Sequence, residues 1–240
     1  MKVALIMYGH LRTYKKCYAK LRQNFIDKYN ADVFIHTWDE IEAKTKSWHN
    51  RHMDVKSLSN NDLSDIKKLY TPKGLIIEHQ GDVANDITTP NNAISAPGQE
   101  YMLHSMFMAD KLKSDYETKN NFKYDVVVKI RPDILLVNPL NLPNVSEGNV
   151  AVAGNRIVPQ HVNDIQKFKA CDIINISTSN DMTKICDAEN HFQKFFVDNV
   201  TAKTFIHSGF VDHMLYKNLN LNMIDYIYNR DWTIVRKSSK

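Results

Sequence analysis

The chain has 240 residues, 43% of them apolar, enough for one sizeable core and near the upper end of single-domain size. Its 31 lysines and arginines stand against 27 acidic residues, and the net charge of +4 is dispersed rather than gathered in a basic tract. That argues against nucleic acid as the main partner while tolerating an anionic ligand.

Val3 to Met7 is a continuous apolar run that stops at Tyr8-Gly9-His10, and the next apolar and aromatic residues, Tyr14, Cys17, Tyr18, Leu21 and Phe25, recur at three and four. The change of period predicts strand, turn, helix. Asp32 to His36 is a second short strand, so the first forty residues form a β-α-β unit of the kind that builds parallel sheets. No small-residue cleavage site follows the first strand, and no later stretch reaches the ~20 apolar residues of a transmembrane segment, so a soluble, cytoplasmic protein is expected. Cys17, Cys171 and Cys186 are odd in number and form no CxxC pair. They read as reduced, buried thiols.

Residues 40 to 60 are polar and read as a surface excursion. Asn61 or Asp62 is the expected cap of a helix ending near Tyr70, and Leu75 to Ile77 is a third strand. Gly81 to Pro97 is the longest expected loop. From Gln99 to about Lys119, Met102, Met106, Met108, Ala109 and Leu112 predict a long amphipathic helix with a charged outer face. Tyr124 to Ile130 is the clearest strand, with Arg131-Pro132-Asp133 at its carboxyl end. Asn149 to Ala153 and Asp172 to Ile176 are further strands, Asn180 to Asp198 and Phe210 to Leu219 are helices, and Met223 to Ile227 is strand-like.

In open parallel α/β sheets, ligands bind beyond the carboxyl ends of strands. Gly9-His10-Leu11-Arg12-Thr13 and Arg131-Pro132-Asp133 both occupy such ends, and Pro132 stiffens the second. An arginine and a carboxylate there suit a metal-bound or arginine-clamped diphosphate; spacing alone is equally compatible with a structural ion pair and an ordinary turn. One glycine in the first turn is too few for a dinucleotide-dependent oxidoreductase.

Three segments, MKVALIMYGHLRTYKKCY, ADVFIHTWDE and YDVVVKIRPDILL, resemble a group of bacterial and viral glycosyltransferase-like proteins of surface-polysaccharide synthesis, in which G-x-x-R-T/S, D-V-F-x-H-T/S-W and Y-D-x-x-x-[KR]-x-R-x-D recur in this order. The resemblance covers roughly the first 140 residues. It implies one GT-A-like domain over residues 1–240, a Rossmann-type, mostly parallel sheet flanked by helices, with the donor half in 1–140 and the acceptor half in 141–240. A nucleotide-sugar donor and a glycan acceptor are the implied partners.

In that reading Arg131-Pro132-Asp133 stands where the family places an Asp-x-Asp-like motif, with arginine in place of the first acid, so either Asp133 binds Mn²⁺ or Mg²⁺ or Arg131 takes over part of the charge neutralisation. Tyr8, Gly9, His10 and Arg12 surround the nucleotide, Arg12 on phosphate. Thr37, Trp38 and Asp39 end the second strand nearby, Asp39 accepting from ribose or base and Trp38 stacking or packing in the core. His207 is the implied carboxyl-terminal metal or diphosphate ligand, alternatively a packed side chain. Asp172 and Asp212 are the candidate bases of an inverting transfer; a retaining one needs none. Asp133→Ala is expected to abolish activity and leave folding intact. The rival readings are a nucleotidyl- or phosphotransferase and a non-catalytic binding module.

Overall fold

The computed structural model describes residues 1–42, 56–83, 96–154, 172–197 and 206–236. Its strands are β1 (Val3–Tyr8), β2 (Asp32–Trp38), β3 (Gly74–Glu78), β4 (Val126–Ile130), β5 (Ile134–Leu136), β6 (Asn149–Gly154), β7 (Asn175–Ser177), β8 (Asn220–Ile227) and β9 (Trp232–Ile234). The main helices are α1 (Tyr14–Leu21), α2 (Asn60–Tyr70), α3 (Ala96–Asn120), α4 (Ser179–Cys186) and α5 (Ile206–Tyr216).

Seven strands form one sheet in the order β3-β2-β1-β4-β7-β6-β8. All its pairings are parallel except those of β7, which runs against both β4 and β6. The sheet is mostly parallel and helix-flanked, and it takes strands from both sides of residue 140. Every residue of β1 and β4 is buried, as expected of strands covered on both faces. Alternation along β1 sends Val3, Leu5 and Met7 to a core shared with α1 and α2, and Ala4, Ile6 and Tyr8 to a core shared with α3, α4 and α5. β1 leads to β2 on one side while β4 lies on the other, so the chain's direction of winding switches at the carboxyl ends of β1 and β4.

Several elements depart from expectation. The helix after β1 widens into a π-turn over Arg22–Ile26, and the expected helix from Asn180 to Asp198 is broken into α4, a 3₁₀ stretch (Asp187–His191) and a π-turn (Gln193–Val197). Asp172 precedes β7 in a turn instead of starting a strand. Ser59, not Asn61 or Asp62, caps α2: its Oγ accepts from the Asp62 N–H while the Asp62 carboxylate accepts from the Ser59 N–H, a complete capping box.

Charge is not confined to the outer face of α3. Lys113 is fully buried, 2.8 Å from both Asp110 and Ser179 Oγ, and Ser179 in turn donates to Glu117 at 2.6 Å, so ion pairs and hydrogen bonds glue α3 to α4. The small antiparallel pair β5–β9 was not expected at all. It brings the end of the chain back: Val235 donates its N–H to the Asp133 carbonyl at 2.8 Å and accepts from Thr13 Oγ1 at 2.5 Å. Cys17 and Cys186 are buried thiols without a disulfide; Cys171 lies outside the described residues, as do most of the 40–60 excursion and of the 81–97 loop. No described helix is long and apolar enough to cross a membrane.

Candidate functional site

β1 ends in Gly9 at φ +88°, where a Cβ would meet nothing within 4 Å. The left-handed backbone, not crowding, is what calls for glycine here. Its N–H donates to Ser105 Oγ of α3 at 2.6 Å. Arg12, three residues on, also takes positive φ (47°), and its N–H is held by the Ile41 carbonyl at 2.9 Å. A non-glycine residue in this region costs on the order of 1–3 kcal/mol, a strain that clusters at functional sites.

The Arg12 side chain reaches across to the end of β4. There Asp133, fully buried, accepts from Arg131 Nε on Oδ1 at 2.9 Å and, on Oδ2, from Arg131 Nη2 at 2.6 Å, Arg12 Nη1 at 3.0 Å and Arg236 Nη1 at 2.7 Å. Arg12 Nε also donates to Glu42 Oε1 at 2.6 Å. Three guanidinium groups thus converge on the two carboxylates they pair with at the β1/β4 switch point.

Burial alone would raise the Asp133 carboxyl, but Arg131 and Arg12 hold it well below the usual carboxylate range. Burial and repulsion from Arg12 push Arg236 down to about 10. His10 is brought down to about 3 by burial, with Arg12 and Arg131 adding to it; its Nε2 is buried and has no partner among the described residues. The environment is one that disfavours further positive charge and accommodates an anion.

A second polar cluster lies beside the first, at the ends of β2 and β3. His36 and Trp38 project from the same face of β2 toward α3, and Trp38 pairs in register with Glu78 of β3. His36 Nε2 and His104 Nε2 both meet Glu78 Oε2, at 3.0 and 2.7 Å, while His104 Nδ1 meets Glu189 Oε1 at 2.6 Å. With carboxylates on both sides, both His104 nitrogens donate. Burial would lower the His104 pKa, but hydrogen bonds to Glu189 and Glu78 raise it above the ordinary value. His36 is lowered to about 4 by burial, and Glu78 opposes this only in part. Its Nε2–H donates to Glu78, which leaves Nδ1 to accept the Ser105 hydroxyl at 2.7 Å. Two sets of described residues, His36-Glu78-His104 and Asp39-Glu40-His79, have the composition and spacing to hold a metal ion.

The sequence-predicted residues fall into distinct places. Gly9, His10, Arg12, Arg131 and Asp133 come together at the switch point. Tyr8 is fully buried and donates its hydroxyl to the Asp172 carbonyl, so it holds the framework instead of surrounding a nucleotide. Lys129, fully buried in β4, donates to the same carbonyl at 2.7 Å; against burial, Asp133 chiefly holds Arg131 protonated, with a smaller contribution from the Asp172 charge. Asp172 is therefore next to the arginine cluster.

Trp38 is 1% exposed, packed at ring-centroid distances of 5.1–5.7 Å against His36, Tyr101 and His104, and presents no free face to a base. Thr37 is buried toward the opposite face. Asp39 is half-buried and bound to His79 at 2.8 Å. Asp212 sits half-buried on α5, whose main neighbours are α4, β8 and the 187–197 stretch. His207 is the second residue of α5, and its side chain lies outside the described residues.

A divalent ion on Asp133 does not fit this arrangement. Its carboxylate already accepts four guanidinium N–H groups, and a cation there would face three positive charges. Sequence reasoning missed Arg236, Glu42, Glu78, His104 and Glu189, which only folding brings to these strand ends. A cavity of 590 Å³ opens elsewhere, lined by Asn138, Tyr226 and Asp231 among others, and contains none of the strand-end residues. No family model matches the chain, and no curated protein matches it.

Proposed function

We propose that the chain is a nucleotide-sugar-dependent glycosyltransferase of GT-A-like architecture, transferring a sugar to a glycan or polysaccharide acceptor. The observation that carries this reading is the convergence of Arg12, Arg131 and Arg236 on one buried carboxylate at the β1/β4 switch point. In glycosyl transfer the bond between the anomeric carbon and the β-phosphate oxygen breaks as the acceptor oxygen takes that carbon, and negative charge grows on the departing diphosphate. Guanidinium groups already fixed by Asp133 and Glu42 stabilise that charge without reorganising. The arginines supply the neutralisation that the resemblance assigns to a metal at Asp133. Of the two carboxylates considered as base, Asp172 is the better placed, beside Tyr8 and Arg131.

The test is the thermal stability of the purified chain against UDP, GDP, CDP, dTDP and their sugars, with and without chelator, followed by product analysis. Stabilisation by one nucleotide, retained in chelator, is expected, with free nucleoside diphosphate as product. Arg12→Ala is expected to weaken that nucleotide's affinity by about 1–3 kcal/mol through loss of a charge-assisted contact. No shift with any nucleotide overturns the proposal. Pyrophosphate release would instead mean nucleotidyl transfer, and binding without turnover across a panel of acceptors would mean a non-catalytic module.

A further inference from the structure

The geometry points to a divalent transition-metal site of the zinc class at His36 Nε2, Glu78 Oε2 and His104 Nε2, separate from the arginine cluster and independent of the transferase reading. The donor atoms lie within 4.8 Å of one another, with Glu78 Oε2 at 3.0 and 2.7 Å from the two imidazole nitrogens. Zinc–ligand bonds of about 2.0–2.2 Å place tetrahedral donor atoms about 3.3–3.5 Å apart. Glu78 Oε2 therefore needs to part from each imidazole nitrogen by less than about an ångström to admit the ion, and the two nitrogens already lie within 4.8 Å of each other. Two imidazoles and one carboxylate favour zinc or its chemical relatives over magnesium or calcium, which take all-oxygen sets.

The outer contacts are those a metal site requires. A metal-bound histidine is oriented through its other ring nitrogen, commonly by a carboxylate. His104 Nδ1 lies 2.6 Å from Glu189 Oε1, and His36 Nδ1 lies 2.7 Å from Ser105 Oγ. The protons also balance. On metal binding His104 gives up its Nε2 proton to solvent and keeps Nδ1–H on Glu189. His36 moves its single proton from Nε2 to Nδ1, where Ser105 Oγ accepts it; the Ser105 hydroxyl turns toward the His36 carbonyl, 3.4 Å away.

The ligands stand on β2, β3 and α3, three elements that pack directly on one another, so the site is held by the framework and not by loops. Glu78 remains 30% exposed, which leaves a route for the ion, and three protein ligands leave a fourth position open. The neighbouring set Asp39-Glu40-His79 has a weaker case, because Asp39 and His79 are 44% and 47% exposed.

The experiment is titration of the chelator-stripped full chain with Zn²⁺ by calorimetry and with Co²⁺ by absorbance, with no nucleotide present, so that failure of the donor-site reading leaves the result untouched. One ion per chain is expected, with the Co²⁺ spectrum of a low-coordinate nitrogen/oxygen site. His104→Ala and Glu78→Gln are expected to lose binding at concentrations that saturate the unaltered chain, and His104→Gln serves where alanine disturbs folding. Glu189→Gln, which only orients His104, is expected to weaken binding about 10–100-fold. His79→Ala should leave binding unchanged. Absence of stoichiometric binding by the unaltered chain, or binding that survives His104→Ala and His104→Gln in folded protein, or binding lost in His79→Ala, overturns the site.

Discussion

One end of the sheet carries two polar clusters built on opposite electrostatic plans. Over β1 and β4, three guanidinium groups outnumber Asp133 and Glu42; over β2 and β3, Glu78 and Glu189 enclose the single His104 imidazolium, with His36 neutral. The same side-chain type behaves in opposite ways in the two places. His10 is held neutral by burial beside Arg12 and Arg131, whereas carboxylates on either side of His104 outweigh burial and favour its charged form. The local field, not residue type, sets which ligand each cluster suits: an anion at the first, a cation at the second.

The largest expected effect separates the clusters by what their carboxylates do. Asp133 is fully buried and is the shared counter-ion of three arginines, so Asp133→Ala strands buried guanidinium charge and should cost about 3–5 kcal/mol in denaturant unfolding. This corrects the expectation that the variant folds normally: a strand-end carboxylate with no water contact serves the framework as well as any ligand. Glu78→Gln keeps an acceptor oxygen at a 30% exposed position and should cost about 1 kcal/mol. Equal losses in the two variants would erase the distinction between them.

The next effect is acid lability at the arginine cluster. His10 has a folded pKa of about 3, below the 6.5 of an unperturbed imidazole, so the unfolded chain takes up the proton first. The stability associated with buried, neutral His10 is complete above pH 6.5 and is lost as pH falls from there toward 3, at up to about 1.4 kcal/mol per pH unit. Unfolding free energies measured between pH 7 and 4.5 should therefore fall less steeply in His10→Gln. Identical slopes would mean that His10 is not held neutral by its surroundings.

The two clusters also differ in how much of them the sequence betrays. Gly9, Arg12, Arg131 and Asp133 lie in two short segments directly after apolar runs, and the rule that parallel strands present ligands at their carboxyl ends is enough to bring them together. The parallel core strands were legible for the same reason: uninterrupted runs such as Val3 to Met7 admit few other readings. Arg236 was not, because it reaches Asp133 only through β5–β9 pairing of two three-residue strands, too short to leave a periodic signal.

The second cluster left still less trace. His36 sits within a strand, Glu78 ends one 42 residues later, and His104 stands on a helix whose methionines suggested plain packing. Only the register of β2 against β3, and the side of α3 that faces them, joins the three. The broken helix after Ser179 was missed because apolar spacing does not distinguish α from 3₁₀ or π geometry.

The smallest expected effect asks whether the clusters are one network or two. The Ser105 hydroxyl joins them by hydrogen bonds: the Gly9 N–H donates to Ser105 Oγ, and the Ser105 hydroxyl donates to His36 Nδ1. Ser105 is fully buried, and Ser105→Ala should cost about 1–2 kcal/mol through the partners it leaves unmet. In double-mutant cycles, Ser105→Ala should couple with Glu78→Gln by at least about 0.5 kcal/mol, since His36 links the two, and should add to Asp133→Asn within about 0.3–0.5 kcal/mol. Only main chain runs from Gly9 to Arg12, so the hydroxyl fixes the turn without carrying charge between the clusters. Strong coupling of Ser105 to Asp133 would instead make the strand-end polar groups a single cooperative unit, in which binding an anion at the arginines alters the affinity of the histidines for a cation.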